Sequence, residues 1–252
     1  MSFDFDGSTE YFESTDSALT DLASNLPFSV AFWFYNNTAS GEDTGWVVGP
    51  ASGTSDKHAL YTFDDTVRAL TRTTSNGIAT STGTFSTNTW THAAGRWLAS
   101  NSRAAYRDGG NEGTNNANKV ISSATNSLVA RETGGSSKMF DGRICELAVW
   151  DVDIGTDAIA ELAKGFSPLL VHPAGLVDYW PMVRHSRGIV GGINWTETGA
   201  PPIAEHTRVF MPSRPQVGLA PFVAPPAGGT TIVEIERHYP RGVGRGILRG
   251  AA

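Results

Sequence analysis

Phe28-Ser29-Val30-Ala31-Phe32-Trp33-Phe34-Tyr35, introduced by Pro27, is the stretch on which the fold turns. Side chains alternate between the two faces of a β-strand. Phe28, Val30, Phe32 and Phe34 therefore share one face, and Ser29, Ala31, Trp33 and Tyr35 the other. Both faces are largely apolar or aromatic, so this is a central strand covered on both sides.

The neighbouring sequence continues in short strands. Phe3 and Phe5 alternate with Ser2, Asp4 and Asp6 before Gly7, and Thr9–Glu13 follows. Trp46–Val48, His58–Phe63, Thr66–Arg72, Thr89–Leu98, Arg103–Arg107, Lys119–Ser122, Ser127–Arg131, Gly142–Asp151 and Leu176–Trp180 have the same character. Asn76-Gly77 reads as a hairpin turn, because both central residues of such a turn need positive φ. Asp108-Gly109-Gly110 ends one strand, and the polar run 111–118 reads as an exposed loop. One short helix stands out: Thr156 as N-cap, Asp157 in the first turn, Ile159, Leu162 and Ala163 as an apolar stripe, Lys164 in the last turn and Gly165 as terminator. This pattern predicts an all-β, jelly-roll-type sandwich over residues 1–200. Residues 201–252 hold eight of the 13 prolines and read as an extended linker and arm rich in Pro, Arg and Gly. Pro221 to Gly229 is the linker, Thr230–Glu236 has strand composition, and Arg and Gly alternate at short intervals beyond it.

The chain has 252 residues, 40% of them hydrophobic and 17% charged, an ordinary globular balance. The net charge of −6 argues against nucleic acid as a partner. Residues 201–252 carry six Arg against three Glu, so the first 200 residues are the more acidic part. The single cysteine, Cys145, allows no intrachain disulfide. The opening MSFDFDGSTEYF has neither a basic nor an apolar leader segment, and no run approaches a membrane span, so neither secretion nor a membrane is expected. The sequons at Asn36 and Asn194 are then chance occurrences in a Thr-rich chain.

FDGSTEYFE, PFSVAFWFY, TWTHAAGRW with AAYRDGG, and DGRICELAVWDVDIGTDAIAEL, taken in order, resemble the laminin-G-like (concanavalin A-like) jelly-roll superfamily over residues 2 to about 182. That resemblance implies the fold and leaves function open, since the fold carries lectins, glycosidases and structural modules. GLVDYWPM followed by GGINWTETGAPPIAEHTRVFMP is similar to the ending of jelly-roll proteins in tailed bacteriophages, with Thr198-Gly199-Ala200 and Glu205-His206 as the matching segments. It implies a virion structural protein.

Glycosidases on this fold place carboxylates on one strand face as Glu-x-Asp-x-x-Glu. Here Glu146-Leu147-Ala148-Val149-Trp150-Asp151 has Ala148 at the middle position, and on a regular strand Glu146 and Asp151 point to opposite faces. Glu146 reads as one partnered carboxylate in an interior strand, and no catalytic residue is assigned. His92 has no second His or Cys at metal spacing and reads as a hydrogen-bonded core histidine. Cys145 reads as core. Laminin-G-like relatives often bind calcium near loops, and Asp4, Asp6, Asp64, Asp65, Asp141 and Asp151 lie near turns, but they form no compact loop of alternating acids. A structural calcium is left open and no other cofactor is assigned. Of the seven Trp and six Tyr most fall in strand patterns, with Trp46 and Trp195 the surface candidates for stacking on a sugar.

These readings favour a non-enzymatic virion structural protein of a tailed phage, such as a capsid decoration subunit, made in the host cytoplasm. Its arm would tie it to other subunits or to copies of itself, with Ile232, Val233, Ile235, Tyr239, Ile247 and Leu248 as apolar anchors and Arg237, Arg241, Arg245 and Arg249 as charge partners. The alternative is a carbohydrate-binding adhesin or receptor-binding tail subunit, with an exposed aromatic and polar cleft at one sandwich end.

Overall fold

The computed structural model describes residues 2–38, 40–53, 55–135 and 138–211. The proposed anchors and charge partners of the arm, from Ile232 to Arg249, lie outside these residues. In chain order the strands are β1 (Ser2–Asp6), β2 (Tyr11–Ser14), β3 (Phe28–Asn36), β4 (Glu42–Gly49), β5 (Lys57–Phe63), β6 (Thr66–Arg72), β7 (Asn76–Thr80), β8 (Trp90–Ala99), β9 (Ser102–Arg107), β10 (Gly110–Asn115), β11 (Asn126–Val129), β12 (Asp141–Trp150), β13 (Leu176–Trp180), β14 (Thr196–Thr198) and β15 (Ile203–Ala204). The helices are α1 (Ser17–Thr20), α2 (Gly155–Ala163) and α3 (Pro168–Val171).

The strands form two antiparallel sheets, as the alternation predicts. The eight-stranded sheet runs β10-β9-β8-β3-β12-β1-β15, with β13 pairing the second half of β12; the seven-stranded sheet runs β14-β2-β11-β4-β5-β6-β7. β3 lies between β8 and β12, in the middle of its sheet. Its inward side chains Phe28, Val30, Phe32 and Phe34 meet Trp46, Val48, Leu60, Trp97, Ile144 and Val149 in the core between the sheets. At one sandwich end α1 and the turn of 3-10 helix after it, Asp21–Ala23, add Leu19, Leu22 and Ala23 to that core. His58 fastens this end: its Nε2 lies 3.2 Å from the Ala23 carbonyl and its Nδ1 2.9 Å from the Thr71 hydroxyl.

Four local expectations are corrected. Asn76-Gly77 is not a turn but the start of β7, paired with Arg72 and Thr71. Gly77 is glycine because the guanidinium of Arg103 occupies the place of a Cβ. The polar run after Asp108-Gly109 is an edge strand, β10, which returns through a two-residue turn with φ 51° and 76°. An edge strand needs backbone pairing, not apolar side chains, so its polarity hid it. Lys119–Ser122, by contrast, forms no strand. Thr156 does not cap α2; the helix starts one residue earlier, with Asp153 accepting from the Gly155 amide at 3.0 Å.

Candidate functional site

The outward face of β3 decides where a ligand can reach the eight-stranded sheet. Ala31 stands in register between Ala94 of β8 and Ala148 of β12. These three alanines make a shallow floor on which Ile159 and Leu162 of α2 pack, with Tyr106, Trp150 and Tyr179 around them. Ala148, the residue at the middle position of the would-be catalytic pattern, is thus part of a helix seat.

Next to this seat the segment 205–211 crosses the sheet. Ser2 Oγ donates to the Glu205 carbonyl at 2.5 Å, the Phe210 amide to Gly165 at 2.7 Å, and the Ser167 amide to Phe210 at 3.0 Å. Beneath it lies Glu146, buried, with φ 55° at a bulge between Cys145 and Ala148. Its carboxylate accepts from the Tyr179 hydroxyl and faces His206 Nε2 at 2.9 Å. The tyrosine is pushed far above its ordinary pKa by burial and the adjoining carboxylate. Glu146 is therefore the partnered interior carboxylate the sequence suggests, while Asp151 is exposed beyond the strand end. Cys145 is buried and burial raises its thiol. His92 is buried against Trp33, with ring centroids 5.3 Å apart, but its Nδ1 has no hydrogen-bond partner among the described residues, contrary to the expected bonded histidine. Burial pushes it down to about 3, so it is neutral. A cavity of only about 10 Å³ remains here, lined by Trp33, His92, Glu146 and Val209 among others. A larger open groove of about 490 Å³ lies between α2 and α3, lined by Ile154, Asp157, Glu161, Leu170 and His172 among others.

Near one end of this sheet a row of side chains stays half-open among the described residues. Trp90, Tyr35, Arg143 and Asp4 are consecutive register partners across β8, β3, β12 and β1. All four are half-buried. The rings of Trp90 and Tyr35 lie 5.7 Å apart and tilted by 60°. The guanidinium of Arg143 sits 4.7 Å over the Tyr35 ring, and its Nε is 3.4 Å from Asp4 Oδ2. His206 flanks Trp90 at 6.4 Å, and Asp141, held by Asn37 at 2.9 Å, closes the row's outer side. A ladder of aromatic rings, a fixed cation and carboxylates that retain acceptor capacity can stack on the apolar face of a sugar and bond its hydroxyls.

The two tryptophans singled out from the sequence are not part of it. Trp46 is fully buried between Phe28 and Trp97, and Trp195 is buried against Trp180. Gly45 beside Trp46 is glycine because the Phe32 ring takes the space of a Cβ. Of the aspartates weighed for calcium, Asp4, Asp6 and Asp141 neighbour one another on β1 and β12, while Asp64, Asp65 and Asp151 lie elsewhere. Asp6 is held below the usual carboxylate range by hydrogen bonds from Thr9 and Ser8, Asp4 meets Arg143, and Asp64 and Asp65 form the β5–β6 turn. Among the described residues no three His, Cys, Asp or Glu converge as metal ligands.

A family model described as the concanavalin A-like lectin/glucanases superfamily matches residues 6–160. No curated protein matches the chain. Among solved structures, the CBM40 domain of the Ruminococcus gnavus IT-sialidase, bound to α2,3-sialyllactose, is 12% identical with a TM-score of 0.57, over 64% of this chain and 96% of its own. The heptameric SAP-like pentraxin of Limulus polyphemus is 18% identical with a TM-score of 0.52, over 64% of this chain and 81% of its own. A putative carbohydrate binding protein from Bacteroides ovatus is 16% identical with a TM-score of 0.55, over 78% of this chain and 58% of its own. At these identities the likeness is one of fold.

Proposed function

The chain belongs to the concanavalin A-like lectin/glucanases superfamily, and we propose that within it this domain is a glycan-binding module without catalytic activity. The observation that carries the reading is the half-buried ladder Trp90–Tyr35–Arg143–Asp4, the stretch of the eight-stranded sheet that α2 and residues 205–211 leave open. The CBM40 domain bound to sialyllactose and the Bacteroides ovatus protein support it at the level of ligand class. The non-catalytic part rests on Glu146, which is buried, paired with Tyr179 and His206, and faces no second carboxylate across a cleft among the described residues.

A glycan array followed by calorimetry tests the reading. Trp90→Ala is expected to weaken the best glycan at least about tenfold, as for loss of a central aromatic anchor, with the sandwich still folded by circular dichroism at the temperature of the assay. Absence of any glycan ligand, or binding indifferent to Trp90, would overturn it. Release of reducing sugar from a β-glucan or galactan, abolished by Glu146→Gln, would overturn the non-catalytic part.

A second reading makes the module an outer subunit of a tailed-phage virion, bound through residues 212–252 to other subunits or to its own copies, since residues 201–211 lie on the sandwich itself. The observation favouring it is the composition of that segment, basic, with five Arg against two Glu, and holding six of the 13 prolines, beside a more acidic body. The two readings are compatible if the subunit is a receptor-binding one. Copy number in purified particles tests the virion role, hundreds pointing to the capsid and a few to the tail; absence from the particles overturns it.

A further inference from the structure

The outer face of the seven-stranded sheet carries a different chemistry. Leu128, Val47, Ala59, Leu70 and Ile78 form one row in register across β11, β4, β5, β6 and β7. All but Ile78 are buried, and Tyr11, Tyr61 and Phe63 pack on the row. No helix among the described residues covers this face. On the aromatic side chains sit arginines: Arg131 lies 4.3 Å over the Tyr11 ring and Arg68 4.2 Å over Phe63. Each is aimed through its Nε, Arg131 donating to the Gly135 carbonyl at 2.7 Å and Arg68 to Thr66 Oγ1 at 3.2 Å. Arg72 stands directly across from Lys57, which is buried and already paired with Glu132, so the Arg72 guanidinium is the one of this pair without an acidic partner among the described residues.

The carboxylates here are already engaged. Glu132 pairs with Lys57 and Lys138, and Glu42 with Lys138 at 2.9 Å. Glu13 accepts from Asn126. No carboxylate lies within ion-pair distance of Arg68, Arg72 or Arg131 among the described residues, whereas Arg96 on the other sheet is paired with Asp153 at 2.5 Å. Lys57, Arg68, Arg72, Arg131 and Lys138 thus face Glu13, Glu42 and Glu132, a local excess of positive charge on a chain whose net charge is −6.

We propose that this face is a second binding surface, specific for an acidic saccharide whose carboxylates are taken by Arg68, Arg72 and Arg131. A guanidinium fork binds a carboxylate through two parallel hydrogen bonds, and stacking on a ring fixes its plane beforehand. Arg68 and Arg72 are four residues apart on β6, about 14 Å along the strand, and Arg131 lies beyond β4 on the other side. Such spacing suits an extended chain with repeated carboxylates. A protein partner would need an apolar centre to the interface, and here the apolar row is buried under its own ring of charged and aromatic side chains. The surface is separate from the Trp90 row, so either can hold without the other.

The test is calorimetry on the full chain with paired probes: oligogalacturonate against its methyl ester, and sialyllactose against lactose. At least one acidic probe is expected to bind about tenfold or more tightly than its neutral partner, with affinity falling as salt rises. Arg68→Ala combined with Arg131→Ala should abolish that preference, and Arg72→Ala, which removes no stacked group, should weaken it alone. Trp90→Ala should leave the acidic preference intact. Equal binding of acidic and neutral partners, no binding of either acid, or indifference to all three arginines overturns the proposal. Polyglutamate bound as tightly as the acidic sugars overturns the assignment to saccharide.

Discussion

A Cβ on Gly45 would overlap the Cζ edge of the Phe32 ring, although Gly45 has no need of a left-handed backbone. The glycine serves the core and not a turn, so the two residues are one packing unit across the sheets. Phe32→Ala should cost roughly 3–5 kcal/mol in chemical denaturation, as for truncation of a fully buried aromatic. Gly45→Ala should cost about 1–3 kcal/mol through overpacking. The two costs should not add: with the Phe32 ring gone, the new methyl has room, and the double variant should be more stable than the sum of the single changes by about 1 kcal/mol or more. Strict additivity would mean that the ring and the glycine do not share the space the structure gives them.

At the scale of elements, covering decides what alternation cannot. The run Phe28–Tyr35 announces its two faces plainly, and β3 is central as read. Alternation also places Trp33 and Tyr35 outward, but it does not say that α2 lies over Ala31 while the chain returns 170 residues later to cross beside Trp33. The Trp90–Tyr35–Arg143–Asp4 row needs the register of four strands, which arrives only with the fold. Asn76-Gly77 misled because Gly77, like Gly45, marks a close approach, by Arg103 and Phe32 respectively, and not a turn. The segment 205–211 yields a prediction of its own. His206 is the polar contact between this segment and Glu146, so His206→Ala leaves a buried carboxylate with Tyr179 alone. The loss should be about 1–3 kcal/mol. Limited proteolysis should cut within 205–211 faster, with the two sheets still protected. Unchanged cleavage would show that Phe210 and its backbone bonds to Gly165 and Ser167 hold the segment without the histidine.

For the whole molecule, no disulfide and no convergent metal ligands appear among the described residues, so stability rests on the core and on what is buried within it. Two of those buried groups are titratable imidazoles. His58 and His92 are both pushed down to about 3, chiefly by burial, from an ordinary value of 6.5. The folded chain then binds fewer protons than the unfolded chain between pH 6.5 and 3, and stability must fall as pH falls through that window. At pH 5 each histidine should have removed about 2 kcal/mol relative to pH 7.5, or about 4 kcal/mol together. Asp6 and Asp153, held low by their hydrogen-bond partners, add to the loss only at more acidic pH, while Glu10 and Asp43, raised by burial, oppose it. His92 offers the cleaner dissection, because its Nδ1 has no partner to lose, whereas His58 is bonded at both ring nitrogens. His92→Leu should therefore remove about half of the loss between pH 7.5 and 5 without a large cost at neutral pH. Denaturation midpoints that stay level from pH 7.5 to 5 would mean that both imidazoles can take up protons in the folded sandwich, and so that water reaches both His58 at the sandwich end and His92 on the outer face of the eight-stranded sheet.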